Sequence, residues 1–179
     1  MARAGQLKKK GFGPAGFDFS KIADDGSELP NDARQGPNAK DWACTRDNVT
    51  GLVWELKTDD GGLRDKFKFY FWYNPDPATN GGDAGEDIHG ECLRETDCTT
   101  EDFVRAVNAA GLCGKHDWRL PAMDELHTLI AYDRTRPTTP LSGFPDAPEF
   151  GPIWSATTSP THPNKIGRAS CRERVYVLV

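Results

Sequence analysis

The chain has 179 residues, a formal net charge of -5 and 37% hydrophobic residues. This length fits one domain of ordinary size, and the negative charge argues against a protein that holds nucleic acid by its phosphate backbone. No apolar run is long enough to span a bilayer. The 18 Gly and 13 Pro predict many loops, while five Trp and nine Phe predict a core that is more aromatic than aliphatic.

The first 16 residues are rich in Gly, Lys and Pro, and they are predicted to form a flexible amino-terminal segment. They have a basic start but no apolar stretch, so they do not have the pattern of a signal peptide. Either the protein is cytoplasmic or its true start is missing from this sequence, and we expect the second.

Two β-structures are predicted next. In residues 17–30, apolar alternation at Phe17 and Phe19 predicts a strand, and Asp24-Asp25-Gly26 predicts the turn after it. Residues 42–58 predict a β-hairpin that turns between Asp47 and Gly51.

Residues 67–74, FKFYFWYN, have an aromatic residue at every odd position, which predicts a strand. The first interpretation is a strand of the core. The second is that Tyr70 or Trp72, on the face opposite Phe69 and Phe71, forms a platform on which a sugar ring stacks.

A long loop, residues 75–97, follows and is rich in Gly, Asn and acids; loops of this length are often functional or disordered. Four of its carboxylates are candidate calcium ligands, although their spacing matches no known calcium loop. The alternative is charge that keeps the loop soluble. We therefore expect no cofactor, and calcium is the one metal considered, with candidate ligands Asp83, Glu86, Asp87 and Asp97.

Apart from Cys171, the sequence has four cysteines, and four cysteines allow three pairings. We expect Cys92 to pair with Cys98 across a short loop, and Cys44 to pair with Cys113. An alternative partner for Cys44 is a cysteine beyond the end of this sequence. An even number of cysteines in a loop-rich domain indicates an oxidising compartment.

Two helices are predicted in the second half. Residues 100–110 have Thr99 or Thr100 as the cap and end at Gly111, with a buried stripe of Phe103, Val107 and Ala110. The second helix follows Pro121, a residue suited to a helix entrance. Its apolar face consists of Met123, Leu126, Leu129 and Ile130.

The stretch from Gly111 to Leu126, GLCGKHDWRLPAMDEL, resembles the signature G-L-C-G-x-x-D-W-R-L-P-T-x-x-E-L of the bacterial Lcl C-terminal domain family. Ala122 departs from it, because the family has a helix-capping threonine or serine there. The hairpin resembles the family phrase C-x-x-D-x-x-T-G-L-x-W-E, and residues 153–158 resemble its Y-W-S-S-T-T strand. The residues that carry the likeness are Trp54, Asp117, Trp118, Arg119, Pro121, Glu125 and Trp154.

The resemblance implies an α+β, C-type-lectin-like fold, similar to that of formylglycine-generating-enzyme-like domains: two helices on a twisted antiparallel sheet, with long loops. It covers residues 17–165, a domain expected to be incomplete at its C-terminal end. Residues 166–179 resemble the translation of a sequencing adapter, so they are predicted to be a non-native tail.

The family implies a non-catalytic binding or adhesion module that is secreted, periplasmic or attached to the bacterial surface. Its expected partners are glycans or surface proteins. Members include the collagen-like adhesins of Legionella, which are associated with sulfated glycosaminoglycans, but the negative charge here argues against a sulfated ligand.

Two alternatives remain open. One is an enzyme domain with thiol or metal chemistry at Cys113 and His116, and the other is a purely structural module of the cell envelope. Asp117 and Arg119 are interpreted as a structural ion pair beneath the second helix.

Overall fold

The computed structural model describes residues 11, 14–85, 99–132, 140–147, 153–157 and 177–179. Four antiparallel strands form one sheet in the order β2-β1-β3-β4. The strands are β1 Phe19–Ala23, β2 Glu28–Leu29, β3 Trp42–Asp47 and β4 Val53–Glu55. With two α-helices, this gives an α+β protein, and both predicted β-structures are confirmed.

The turn between β1 and β2 lies where the sequence predicts it. Asp25 accepts hydrogen bonds from the backbone N–H (3.0 Å) and the hydroxyl (2.6 Å) of Ser27. Gly26 has φ +86°, and a Cβ on it would lie 2.9 Å from the carbonyl oxygen of Cys113. Glycine is required here because another segment approaches the turn too closely for a side chain.

The first helix, α1, runs from Thr100 to Ala110 as predicted. The Thr99 hydroxyl caps it by accepting the Asp102 N–H at 3.1 Å, and Gly111 ends it in the left-handed conformation. Phe103 and Val107 are buried, but Ala110 is exposed, so its place in the predicted stripe is wrong. The chain turns at Gly111, and Leu112 supplies the next buried side chain instead.

The second helix, α2, spans only Met123–His127 and is shorter than the apolar pattern predicts. The chain then tightens, because Leu129 N–H bonds to the carbonyl of Leu126, three residues back. Leu129 is buried, whereas Met123 is 43% exposed. The predicted apolar face is therefore wrong at its first residue.

The aromatic segment 67–74 is not a strand in the structure. Its isolated bridges include one from Phe71 to Thr99 and one from Tyr73 to Gly85. The Thr100 hydroxyl holds the backbone of Tyr73 on both sides, accepting from its N–H (3.1 Å) and donating to its carbonyl (3.0 Å). The segment therefore forms hydrogen bonds with the start of α1 and not with a neighbouring strand of the sheet. The strand expected around Trp154 is likewise absent from the described residues 153–157, where only Ile153 lies in a bridge.

The core is aromatic, as predicted: all five tryptophans are at most 5% exposed. One buried cluster contains the α1 side chains Phe103 and Val107. A second contains Trp54, Leu56 and residues such as Leu129 and Phe144. Since side chains alternate along β4, the sheet is covered on both faces.

Residues 177–179 pack as an additional short extended segment. Val53 and Val179 exchange two backbone hydrogen bonds (2.7 and 3.0 Å), and Arg119 and Leu178 exchange two more (3.0 Å each). The side chains of Val177 and Leu178 are completely buried. This packing does not test where the segment comes from, so the non-native origin of residues 166–179 stays a prediction. The predicted domain limits also stay predictions.

A disulfide joins Cys44 in β3 to Cys113, which lies 69 residues further along, with 6.4 Å between the Cα atoms. This pairing is the predicted one. The second predicted disulfide, Cys92–Cys98, lies outside the described residues.

Removing the disulfide with the double substitution Cys44→Ala and Cys113→Ala should lower the free energy of unfolding by about 4 kcal/mol, because the closed loop is long. Urea unfolding with and without reductant measures this. Reductant should destabilise the parent chain strongly and the double variant little. Equal sensitivity of both proteins to reductant would show that this bond does not stabilise the fold.

Candidate functional site

An open cavity of about 410 Å³ lies beside the sheet. Its walls are the connection between β2 and β3, the loop that follows β4, and Asp146. The lining combines apolar surface, to which Pro37 and Trp42 contribute, with polar side chains: four carboxylates, one guanidinium, and amide and hydroxyl groups. We call this cavity the acidic cleft. The polar residues that define it are Asp24, Gln35, Asn38, Thr58, Asp59, Asp60, Arg64 and Asp146.

One buried carboxylate organises the loop after β4. Asp65 accepts hydrogen bonds from the backbone N–H groups of Asp60 (2.9 Å), Gly61 (2.7 Å) and Phe67 (2.8 Å). Burial acts to raise the pKa of Asp65, but these three N–H bonds outweigh it, and the pKa is lowered. The loop after β4, which supplies Thr58, Asp59, Asp60 and Arg64 to the cleft, is therefore held by an ionised group.

Lys66 joins this loop to the opposite wall. Its ammonium lies 2.8 Å from Asp59 Oδ2 and 3.2 Å from Asp146 Oδ1. The hydrogen bond to Asp59 is the main reason why the pKa of Lys66 is raised. The same ammonium lies 5.3 Å from the centre of the Phe67 ring.

The donors of the cleft walls are largely committed to the protein itself. Arg64 Nη1 donates to the carbonyls of Ala43 and Leu56, each at 3.1 Å. Gln35 Nε2 donates to the carbonyl of Lys57 at 3.0 Å. No described residue donates a hydrogen bond to the Asp24 carboxylate or to Oδ2 of Asp60. The cleft consequently presents more acceptors than donors.

The stacking platform predicted at Tyr70 or Trp72 needs an exposed ring, and the structure buries both. Tyr70 is 1% exposed and Trp72 is 5% exposed. Tyr70 donates its hydroxyl hydrogen to the carbonyl of Leu63 at 2.8 Å. The exposed rings of this segment are Phe67 (62%) and Phe69 (42%). The segment therefore has a buried and an exposed face, but the stacking interpretation placed Tyr70 and Trp72 on the exposed one.

Of the four candidate calcium ligands, only Asp83 lies within the described residues. Its carboxylate accepts the Gly85 N–H at 3.0 Å, as in a turn. The other three, Glu86, Asp87 and Asp97, lie outside the described part of the chain. Across the described ranges, no group of three or more His, Cys, Asp or Glu side chains is arranged to hold a metal ion.

The candidate thiol pair is not assembled. Cys113 is buried and bonded to Cys44, so it offers neither a free thiolate nor a metal-binding sulfur in this state. His116 is exposed, and its Nδ1 lies 2.8 Å from the carbonyl of Asn108.

The signature residues fasten segment 117–125 to the rest of the fold. Trp118 is buried, and its backbone N–H and carbonyl both bond to the Asn108 side chain on α1. Arg119 pairs with Glu125 through two hydrogen bonds (2.8 and 2.6 Å), and Asp117 is exposed. The predicted partner of Arg119 is therefore wrong. Pairing with Arg119 is the main reason why the pKa of Glu125 is lowered.

Two side-chain acceptors compensate for the missing capping hydroxyl at the start of α2. Ala122 is the N-cap residue of α2, and Glu125 Oε2 accepts its N–H at 2.7 Å. The Thr157 hydroxyl accepts the Met123 N–H at 2.8 Å. A distant threonine thus supplies an oxygen near the place where the family has one at the cap itself, which explains how alanine is tolerated.

Sequence reasoning missed a buried ion pair. Lys57 Nζ lies 2.6 Å from Glu55 Oε1, and the two side chains are 3% and 0% exposed. Glu55 Oε2 also accepts the Val177 N–H at 3.2 Å. Burial raises the pKa of Glu55 and lowers the pKa of Lys57, and their mutual contact opposes both changes. The final glutamate of the W-E phrase is the sequence signal that could have revealed it.

The comparisons with known proteins give one match. The family model described as the Lcl C-terminal domain matches residues 43–176, which is most of the chain. Searches of curated proteins and of solved structures find no match. No helix among the described residues has the length and apolar character needed to cross a membrane.

Lys57→Met should lower the free energy of unfolding by about 3–5 kcal/mol, because it leaves a buried carboxyl group without its partner. Adding Glu55→Gln should recover part of this loss, since Gln keeps an acceptor for Val177 without the charge. Urea unfolding measures both variants, with exposed Lys115→Met as the control. A double variant less stable than Lys57→Met would contradict the pairing energetics.

Asp65→Asn should destabilise the chain by about 2 kcal/mol at neutral pH, because it removes an ionised acceptor of three backbone N–H groups. The folded-state pKa of Asp65 lies below its usual value of 3.8, so its contribution is present above that value and is lost as the pH falls through the folded-state pKa. Urea unfolding from neutral pH to about pH 2 should therefore show a shallower acid loss in the variant than in the parent. Parallel curves would contradict this role.

Proposed function

Because the chain belongs to the Lcl C-terminal domain family, we propose that it is a non-catalytic binding module of a bacterial surface or secreted protein. Its ligand is a glycan, and the acidic cleft is the site that holds it. The α+β scaffold is of the C-type-lectin-like kind, in which a small sheet and two helices support long loops.

The observation that carries this proposal is the chemistry of the acidic cleft. Carboxylate, amide and hydroxyl groups are the side chains that exchange hydrogen bonds with sugar hydroxyls, and they line a concave site of ligand size. Asp65 and Lys66 hold the cleft walls in place before any ligand arrives. Such preorganisation reduces the entropy that binding has to overcome.

Two further features argue against thiol chemistry at this site. The described residues that line the cleft include neither histidine nor cysteine. The cysteine considered for nucleophilic chemistry lies in a disulfide. The buried core, the buried ion pair and the disulfide form a rigid frame that supports the loops. A binding module requires such a frame.

The test is a glycan array probed with the full 179-residue chain, followed by calorimetry on the best ligand. We expect saturable binding, and Asp60→Asn should weaken it at least tenfold. This substitution keeps Oδ1, which accepts from Thr58 (2.8 Å) and Gly62 (2.7 Å). Asp117→Asn, an exposed aspartate outside the cleft, is the matched control and should bind like the parent.

Three outcomes would contradict the proposal. Binding to no glycan would favour a structural module of the envelope. Binding that survives Asp60→Asn unchanged would place the site elsewhere. Release of shortened or modified sugar during incubation would show an enzyme.

A further inference from the structure

We propose that the side chains of Lys57 and Glu55 condense to an amide, so that the buried pair becomes a covalent cross-link within the chain. The inference does not depend on the ligand of the acidic cleft, because neither residue lines that cavity. Its basis is the contact between an amine and a carboxyl group, their burial, and the backbone groups that fix the carboxyl group in place.

The two reacting groups are in contact. Lys57 Nζ lies 2.6 Å from Glu55 Oε1, so the nitrogen is next to the carboxyl carbon Cδ that it would attack. A nucleophile that is held against its target reacts as if it were present at a very high concentration. The fold therefore supplies the proximity that a slow condensation needs.

Burial favours the uncharged forms that the reaction requires. The two side chains are 3% and 0% exposed, and Lys57 Nζ lies 4.6 Å from the centre of the buried Phe103 ring. Burial is the main reason why the pKa of Glu55 is raised and the pKa of Lys57 is lowered. The uncharged amine is the nucleophilic form of lysine, and desolvation in an apolar pocket is one way in which proteins activate it.

The backbone of Val177 fixes the carboxyl group and polarises it. Glu55 N–H donates to the Val177 carbonyl at 3.2 Å, and Val177 N–H donates to Glu55 Oε2 at 3.2 Å. When Nζ adds to Cδ, negative charge develops on the carboxyl oxygen that stays. Oε2 is that oxygen, since Oε1 contacts the amine, and the Val177 N–H is placed to stabilise the charge.

The condensation needs no further reactant. The bond between Nζ and Cδ forms, and the bond between Cδ and Oε1 breaks. Oε1 leaves as water with its own proton and one proton from Nζ, and the amide keeps the other Nζ proton. No atom is oxidised or reduced. Because the site is buried, it excludes the water that would hydrolyse the product.

Peptide mass spectrometry of the full chain tests the inference. The folded protein is incubated at neutral pH, then unfolded, reduced, alkylated and digested with trypsin. Trypsin cleaves after an unmodified Lys57 and gives peptides 47–57 and 58–64. It does not cleave after a lysine amide. We therefore expect a single peptide 47–64 that is lighter by one water molecule, and its share should rise with time to more than half of the chain.

Three controls show whether the fold directs the reaction. Lys57→Arg keeps a cation beside Glu55 but lacks the amine, so it should show no loss of water there. In the parent chain, Lys66 and Asp59 lie 2.8 Å apart, but Asp59 is 60% exposed, so this hydrated pair should stay unmodified. The parent chain incubated in urea should also stay unmodified, because unfolding removes both the contact and the burial.

Each opposite result would overturn the inference. Complete cleavage after Lys57 at every time point would show that no amide forms. Fragment ions that locate the loss of water at Asp60 would show a cyclic imide at the Asp60-Gly61 pair instead. Equal modification of Lys66 with Asp59, or of the chain in urea, would show that the buried site has no special reactivity.

Discussion

The covalent bond between Cys44 and Cys113 is the constraint on which the rest of the structure depends. It joins β3, a central strand of the sheet, to the segment that leads into Trp118. From there Asn108 fixes Trp118 to α1, and Arg119 exchanges hydrogen bonds with Leu178 beside β4. The disulfide and these hydrogen bonds together connect the sheet to α1, and the short helix α2 needs little stability of its own.

The acidic cleft is a consequence of this frame. The sheet provides a fixed base, and the loop after β4 extends from it with Asp65 accepting three backbone N–H groups. Lys66 then ties the loop to Asp146 across the opening. Lys66 engages Asp59 and Asp146, whereas no described residue donates a hydrogen bond to the Asp24 carboxylate or to Oδ2 of Asp60. In the proposed function, the rigid frame supports the cleft and the free acceptors of the cleft bind the ligand.

Much of the fold could be predicted from the sequence because it is encoded locally. The cap at Thr99, the stop at Gly111 and the hairpin turn after Asp47 each depend on a few neighbouring residues. The pairing of Cys44 with Cys113 was also predicted correctly. The cap, the stop and the turn are determined by short-range chemistry that a sequence displays directly, whereas the disulfide joins residues 69 positions apart.

The candidate site was harder to predict because it depends on contacts between distant residues. Alternation in FKFYFWYN showed two faces, but nothing local revealed that Tyr70 and Trp72 face the core while Phe67 faces solvent. Lys66 donates a hydrogen bond to Asp146, which lies 80 positions away. Arg119 pairs with Glu125 and not with Asp117, its expected partner. A charged residue in a sequence has many possible partners, and only the fold selects one.

We propose that a rigid frame presents the acidic cleft to a glycan. Backbone ¹H–¹⁵N spectra of the full chain, recorded while the best-binding glycan of the array is added, test this directly. We expect signals from residues 24, 35–38, 58–64 and 146 to shift, while those of Trp118, Arg119 and α1 stay in place. Shifts confined to another surface, or spread through the core, would contradict it.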